Sequence, residues 1–237
     1  MTVTTTCASP VNRPRQLHDA VIDQFGYDIV SGSVPAGTTT TVDVVAERLG
    51  VSRTVMREAV RVLESIRLIQ IRRKVGLSVL PPDAWNPYDA NVIRWKLAGP
   101  QRAEHLGALT ELCIATEPVA ARLAAGHATV EQCAALASSV ARMSAAARTA
   151  DFGALDELCV EFHRTVLKAS GNPMFNALGP VVEAVLDRGR AAPAGTAHDS
   201  VRLLARVASS ISLGDGPAAQ AAMLAVVMTR YSASDIN

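Results

Sequence analysis

Apolar side chains at Leu17, Val21, Phe25 and Ile29 recur every fourth position and form one stripe of an amphipathic helix. The helix should stop near Ser31-Gly32, because glycine takes a left-handed cap and Pro35 blocks continuation. After GSVPAGTTTT, the residues from Val42 to Leu49 carry a second, shorter helical pattern closed by Gly50. Ser52 then offers an N-cap for a third helix from about Arg53 to Ser65. A helix, a tight glycine-bearing turn and a second helix have helix-turn-helix spacing. Next come the apolar runs Leu68-Ile69-Gln70-Ile71 and Leu77-Ser78-Val79-Leu80, separated by Arg72-Arg73-Lys74-Val75-Gly76. Two short runs around a basic tip with a glycine predict a β-hairpin wing.

Pro81-Pro82 cannot continue a central strand, so the pattern places a domain boundary there. Beyond it, helical periodicity runs over 87–97, 103–126, 129–149, 151–170, 173–190, 198–213 and 216–231, punctuated by glycine and proline, including Gly171-Asn172-Pro173 and Gly179-Pro180. The expected class is mainly α. It comprises an aperiodic, flexible tail over 1–12, a winged helix-turn-helix over 13–80, a linker with the first helix of the second domain over 81–100, and an all-α bundle over 101–237.

Composition agrees with this division. In 237 residues, 49% are apolar and only 4% aromatic, with alanine and leucine abundant, which favours packed helices over sandwiches. The net charge of +1 leaves no global nucleic-acid signature, so a DNA-binding surface must be local. The start, MTVTTTCASPVNRPR, lacks the plan of a signal peptide, and the apolar stretch near Ala218 to Met228 is too short to span a bilayer. A cytoplasmic protein without membrane association is expected. Cys7, Cys113, Cys133 and Cys159 are widely spaced, with no C-x-x-C pair, and are expected to be free thiols.

Arg53, Arg57 and Arg61 are four apart and share one face of the third helix, while Met56, Val60 and Leu63 point the other way. An apolar back and an arginine front suit a recognition helix, since the guanidinium fork takes guanine O6 and N7 together. Spaced charges alone are more often a solvated face. The basic wing tip Arg72-Arg73-Lys74 shifts the balance, because wing tips grip backbone phosphate or the minor groove.

The stretch SRTVMREAVRVLESIRLIQIRRKVGLSV resembles the GntR family pattern, in which S-R-T-x-x-R-E-A-x-x-x-L-E precedes a glycine-bearing wing. The resemblance implies sequence-specific transcription regulation, DNA contacts from Ser52, Arg53, Thr54, Arg57, Arg73 and Lys74, and a homodimer on a palindromic double-stranded operator. Two positions depart from the pattern. Asp43 stands where the family usually has an arginine, and Lys74 stands where a wing-tip glycine is common.

Residues 83–235 resemble the FCD effector domain of the FadR-like branch, in AWNPYDANVIRWKLAG, TEPVAARLAAGHAT and EFHRTVLKASGNPMF, and WNPYDANVIRW is like regulators responding to sugar acids such as galactonate or gluconate. This implies a repressor of a metabolic operon, released by a small acidic metabolite bound in a helical domain that also dimerises. Such domains often hold a divalent metal through an aspartate four residues before a histidine and two later histidines. Here Cys159 replaces the aspartate, His163 is kept, and the later positions fall at Leu204 and Val226. Cys113 replaces an arginine common in that branch. One ligand left of four cannot hold a metal firmly, so the usual carboxylate/histidine site is expected to be lost and no cofactor is expected.

Cys113, Cys159, His163 and Asn172 are the candidate effector-site residues. For His163 two readings stand: a core histidine satisfied by a partner, or a convergence with Cys113 and Cys159 into a thiol or soft-metal sensor. Asn172 is a contact or a helix-junction cap. A regulator with the same DNA-binding dimer and no small-molecule effector is the further alternative. Catalysis is not expected: the residues three before the histidines are Arg15, Arg102, Ala124, Val160 and Gly195, so no E-x-x-H metal pair exists, and no G-x-S-x-G or phosphate-cradling loop occurs.

Overall fold

The computed structural model describes residues 13–186 and 194–231, so the expected tail over 1–12 lies outside the described residues. Contacts divide the chain into two compact units, 1–101 and 102–237. In the first, α1 (Arg13–Val30) buries Val21, Ile22, Phe25 and Ile29. α2 (Val42–Arg48) and α3 (Arg53–Ser65) follow, as the helix-turn-helix pattern predicts. The turn between them is made by Gly50 at φ 65, in the left-handed region, with the Val51 amide returning to the Ala46 carbonyl at 3.0 Å.

The wing is a three-stranded antiparallel sheet in the order β1-β3-β2, from β1 (Thr39–Thr40), β2 (Ile69–Arg72) and β3 (Gly76–Val79). Arg72 pairs with Gly76 across the tip, and Ile69 with Val79 at the base. Gly76 is required where β1 crosses, because a Cβ there would lie 2.5 Å from the Thr40 carbonyl oxygen. β2 is an edge strand, and its outward Ile71 amide donates to the Glu64 carboxylate of α3 at 3.0 Å. This bond ties the wing to the third helix.

Starting at the second of the paired prolines, a 3-10 turn (Pro82–Ala84) leads to α4 (Ala90–Ala98), capped by Asp89. The helix expected to open the second domain packs instead on α1. Arg94 pairs with both carboxylate oxygens of Asp23, and the Trp95 ring lies over Gly26, where an added Cβ would fall 2.2 Å from the ring. Trp85 anchors the approach, donating its indole N–H to the Leu80 carbonyl at 2.9 Å.

The second unit contains α5 (Arg102–His127), α6 (Val130–Arg148), α7 (Phe152–Ala169), α8 (Pro173–Asn176), α9 (Gly179–Leu186), α10 (Ala194–Ser212) and α11 (Gly216–Tyr231). α5 is central, packing on α7, α9, α10 and α11. The pattern over 173–190 is not one helix: it breaks after Asn176 and resumes at Gly179, and its last four residues lie outside the described residues. Pro180 has no N–H for the Asn176 carbonyl, so a continuous helix would lose that bond and clash. Among the described residues, no helix is long and apolar enough to cross a membrane.

Candidate nucleic-acid interface and buried polar centre

Ser52 caps α3 by accepting from the Val55 amide at 3.3 Å, and Thr41 caps α2 from the Val44 amide at the same distance. Each cap satisfies an amide that the helix leaves unbonded. Met56, Ala59, Val60 and Leu63 lock the back of α3 into the core, so its other face is presented rigidly. On that face Arg53, Thr54, Arg57 and Arg61 are all exposed.

The three arginines differ in their company. Arg53 Nε lies 3.0 Å from Asp43 Oδ1 in the first turn of α2. Arg61 is held by Glu58 at 2.6 Å within its own helix. Arg57 has no ion pair to any described residue. At the wing tip Arg72, Arg73 and Lys74 are exposed, with Arg72 donating to Gln70 at 3.2 Å. Lys74 sits at φ 67, a left-handed conformation that glycine takes more cheaply, which accounts physically for the glycine common at this position.

In the second unit, α5 and α7 bring together the sequence-predicted residues Cys113, Cys159 and His163, and add one that sequence reasoning missed. Glu117, one turn after Cys113, is 1% exposed and its carboxylate contacts Nδ1 of His163, which is 0% exposed. Cys113 lies one turn from Glu117 on α5 and Cys159 one turn from His163 on α7, and each thiol is electrostatically coupled to that neighbour. Burial alone would depress the His163 pKa, but the Glu117 carboxylate, with Cys159, outweighs it and raises the imidazole to about 10. The Glu117 carboxylate thus favours the protonated imidazole. Burial, reinforced by Glu117, drives the Cys113 thiol far above its ordinary range, so it stays protonated and a poor nucleophile.

The residues do not fit the family's divalent metal. Leu204 and Val226 are buried apolar side chains, and among the described residues no group of three or more His, Cys, Asp or Glu is arranged to hold a metal ion. Among the described residues, neither Glu117 Oε1 nor His163 Nε2 has a hydrogen-bond partner. Asn172 is the N-cap of α8, its side chain accepting from the Met174 amide at 2.9 Å.

Two family models match the chain: "Bacterial regulatory proteins, gntR family" over residues 17–79 and "FCD domain" over residues 108–228. The galactonate operon transcriptional repressor of Escherichia coli is 28% identical, over 88% of this chain and 93% of its own length. An uncharacterized HTH-type transcriptional regulator of Mycobacterium tuberculosis is 30% identical over 90% of this chain and 86% of its own. Among solved structures, a GntR protein of Streptococcus agalactiae superposes with a TM-score of 0.54 at 26% identity, covering 91% of this chain and all 100% of that one.

Proposed function

Because the chain belongs to the GntR family of bacterial transcription regulators and carries an FCD domain, we propose that it is a cytoplasmic homodimeric repressor of a metabolic operon, not an enzyme. Its operator is read by Ser52, Arg53, Thr54 and Arg57 in the major groove, while Arg73 and Lys74 of the wing hold phosphate. The observation that carries this reading is the rigid presentation of α3: an apolar back sealed in the core, a capped start, and Arg57 exposed without an ion pair among the described residues. Arginine so placed is free to make a bidentate contact with guanine. The two-fold of a dimer would set the half-site spacing.

The galactonate repressor's kinship points to a small acidic metabolite, such as a sugar acid, as the releasing effector. A second reading is favoured by the Glu117–His163 pair: with the metal ligands replaced by Leu204 and Val226, the polar centre is a self-neutralised ion pair, and the regulator works without a small-molecule effector. Selection of genomic fragments by the purified protein tests the repressor reading. Recovery of a palindromic site beside metabolic genes supports it, and recovery of no common sequence refutes it. Adding galactonate or gluconate to the resulting complex separates the two effector readings: release at millimolar concentration supports the first, and unchanged binding with these acids and with every acid that the enzymes encoded by neighbouring genes act on supports the second.

A further inference from the structure

Asp43 occupies a position where a carboxylate should harm DNA binding, since it stands beside the first residue of α3 and would repel phosphate. The structure gives it a partner. Its Oδ1 lies 3.0 Å from Arg53 Nε, across the helix-turn-helix from the first turn of α2. The two side chains are 53% and 73% exposed, so the pair is screened by solvent and contributes little to folding. Its consequence is directional. With the Nε side of the guanidinium facing the carboxylate, the two terminal nitrogens are left as the outward fork, the edge that matches guanine O6 and N7.

The backbone at both ends of the pair is fixed. Thr41 and Ser52 spend their hydroxyls on helix caps, so neither competes for the arginine. Arg57 and Arg61 have no such restraint from α2: one has no ion pair to a described residue and the other is held by Glu58. We propose that Asp43 is a positioning residue for Arg53, restricting it to an end-on contact with a single base pair and thereby exchanging general DNA affinity for discrimination at that position. The inference rests on the reading of α3 as the groove-entering helix.

The test uses the full chain and a duplex recovered by the wild-type protein from a randomised library. Binding to that duplex and to each of its single-base variants is measured over a range of salt for wild type, Asp43→Ala, Arg53→Ala, Arg57→Ala and the Asp43→Ala/Arg53→Ala double variant. Asp43→Ala should bind unrelated DNA more tightly, having lost a negative charge, while its preference at one base pair falls roughly tenfold. Arg53→Ala should lose preference at that same base pair, and the double variant should lose no more there. If Asp43→Ala tightens binding equally to every duplex, or changes nothing, while Arg53→Ala and Arg57→Ala lose discrimination, Asp43 is at most a repulsive charge and the inference is overturned. If Arg53→Ala and Arg57→Ala also leave binding unchanged, the reading of α3 falls instead.

Discussion

Glu117 and His163, 46 residues apart on α5 and α7, meet as an ion pair with neither side chain open to solvent. Removing one partner of such a pair strands the other charge, at a cost of about 3–5 kcal/mol. The raised His163 pKa fixes the sign of the pH effect. An imidazole that titrates near 6.5 when unfolded and near 10 when folded contributes its stability fully below pH 6.5, and that contribution is lost as pH rises through 10. Wild-type protein should therefore unfold at progressively lower temperature between pH 7 and 10, beyond the effect of general charge build-up. Glu117→Gln should be less stable at pH 7 and have a flatter profile. Parallel calorimetric melts of the two proteins check this, and parallel profiles would count against the pair.

Metal should not matter to this chain. Elemental analysis of protein purified without chelator should find no stoichiometric transition metal, and chelator treatment should leave operator binding and melting temperature unchanged. One zinc or manganese per chain, lost together with stability on chelation, would contradict the replacement of the ligand set by Cys159, Leu204 and Val226.

Gly26 is a packing requirement. An added methyl would lie 2.2 Å from one Trp95 ring carbon and 2.5 Å from two more, and a buried indole has little room to move. Gly26→Ala should destabilise the first unit by about 1–3 kcal/mol, the usual cost of overpacking. A denaturant titration monitored by tryptophan fluorescence reads it, and an unchanged midpoint would show that the α1–α4 contact is not made as described.

Local chemistry made the reading head legible in the sequence. Ser52, Gly50 and the alternation around the basic tip each specify a backbone conformation by themselves, so α2, α3 and the wing strands fall close to where the pattern puts them. Contacts distant along the chain were not legible. Thr39–Thr40 shows no alternation and becomes a strand only by pairing with β3. The side on which α4 packs depends on Trp95 meeting a bare glycine in another helix. The buried centre was half visible: Cys113, Cys159 and His163 stood out as replaced or retained ligands. Glu117 passed unnoticed as an ordinary helix carboxylate, although it shares the stripe of Cys113, Ala120, Ala121 and Ala124, all buried. A carboxylate on an apolar stripe is the signal that could have found it.

The central claim is that α3 reads bases while the wing holds phosphate. Binding of wild type, Arg57→Ala and Arg73→Ala to the selected operator, to single-base variants and to unrelated DNA, each across a salt series, tests it most directly. Arg57→Ala should lose about 1–3 kcal/mol of discrimination at one position, whereas Arg73→Ala should weaken binding evenly across sequences and reduce the salt slope by about one. Full operator affinity, with unaltered specificity and salt dependence, in both variants would contradict the account.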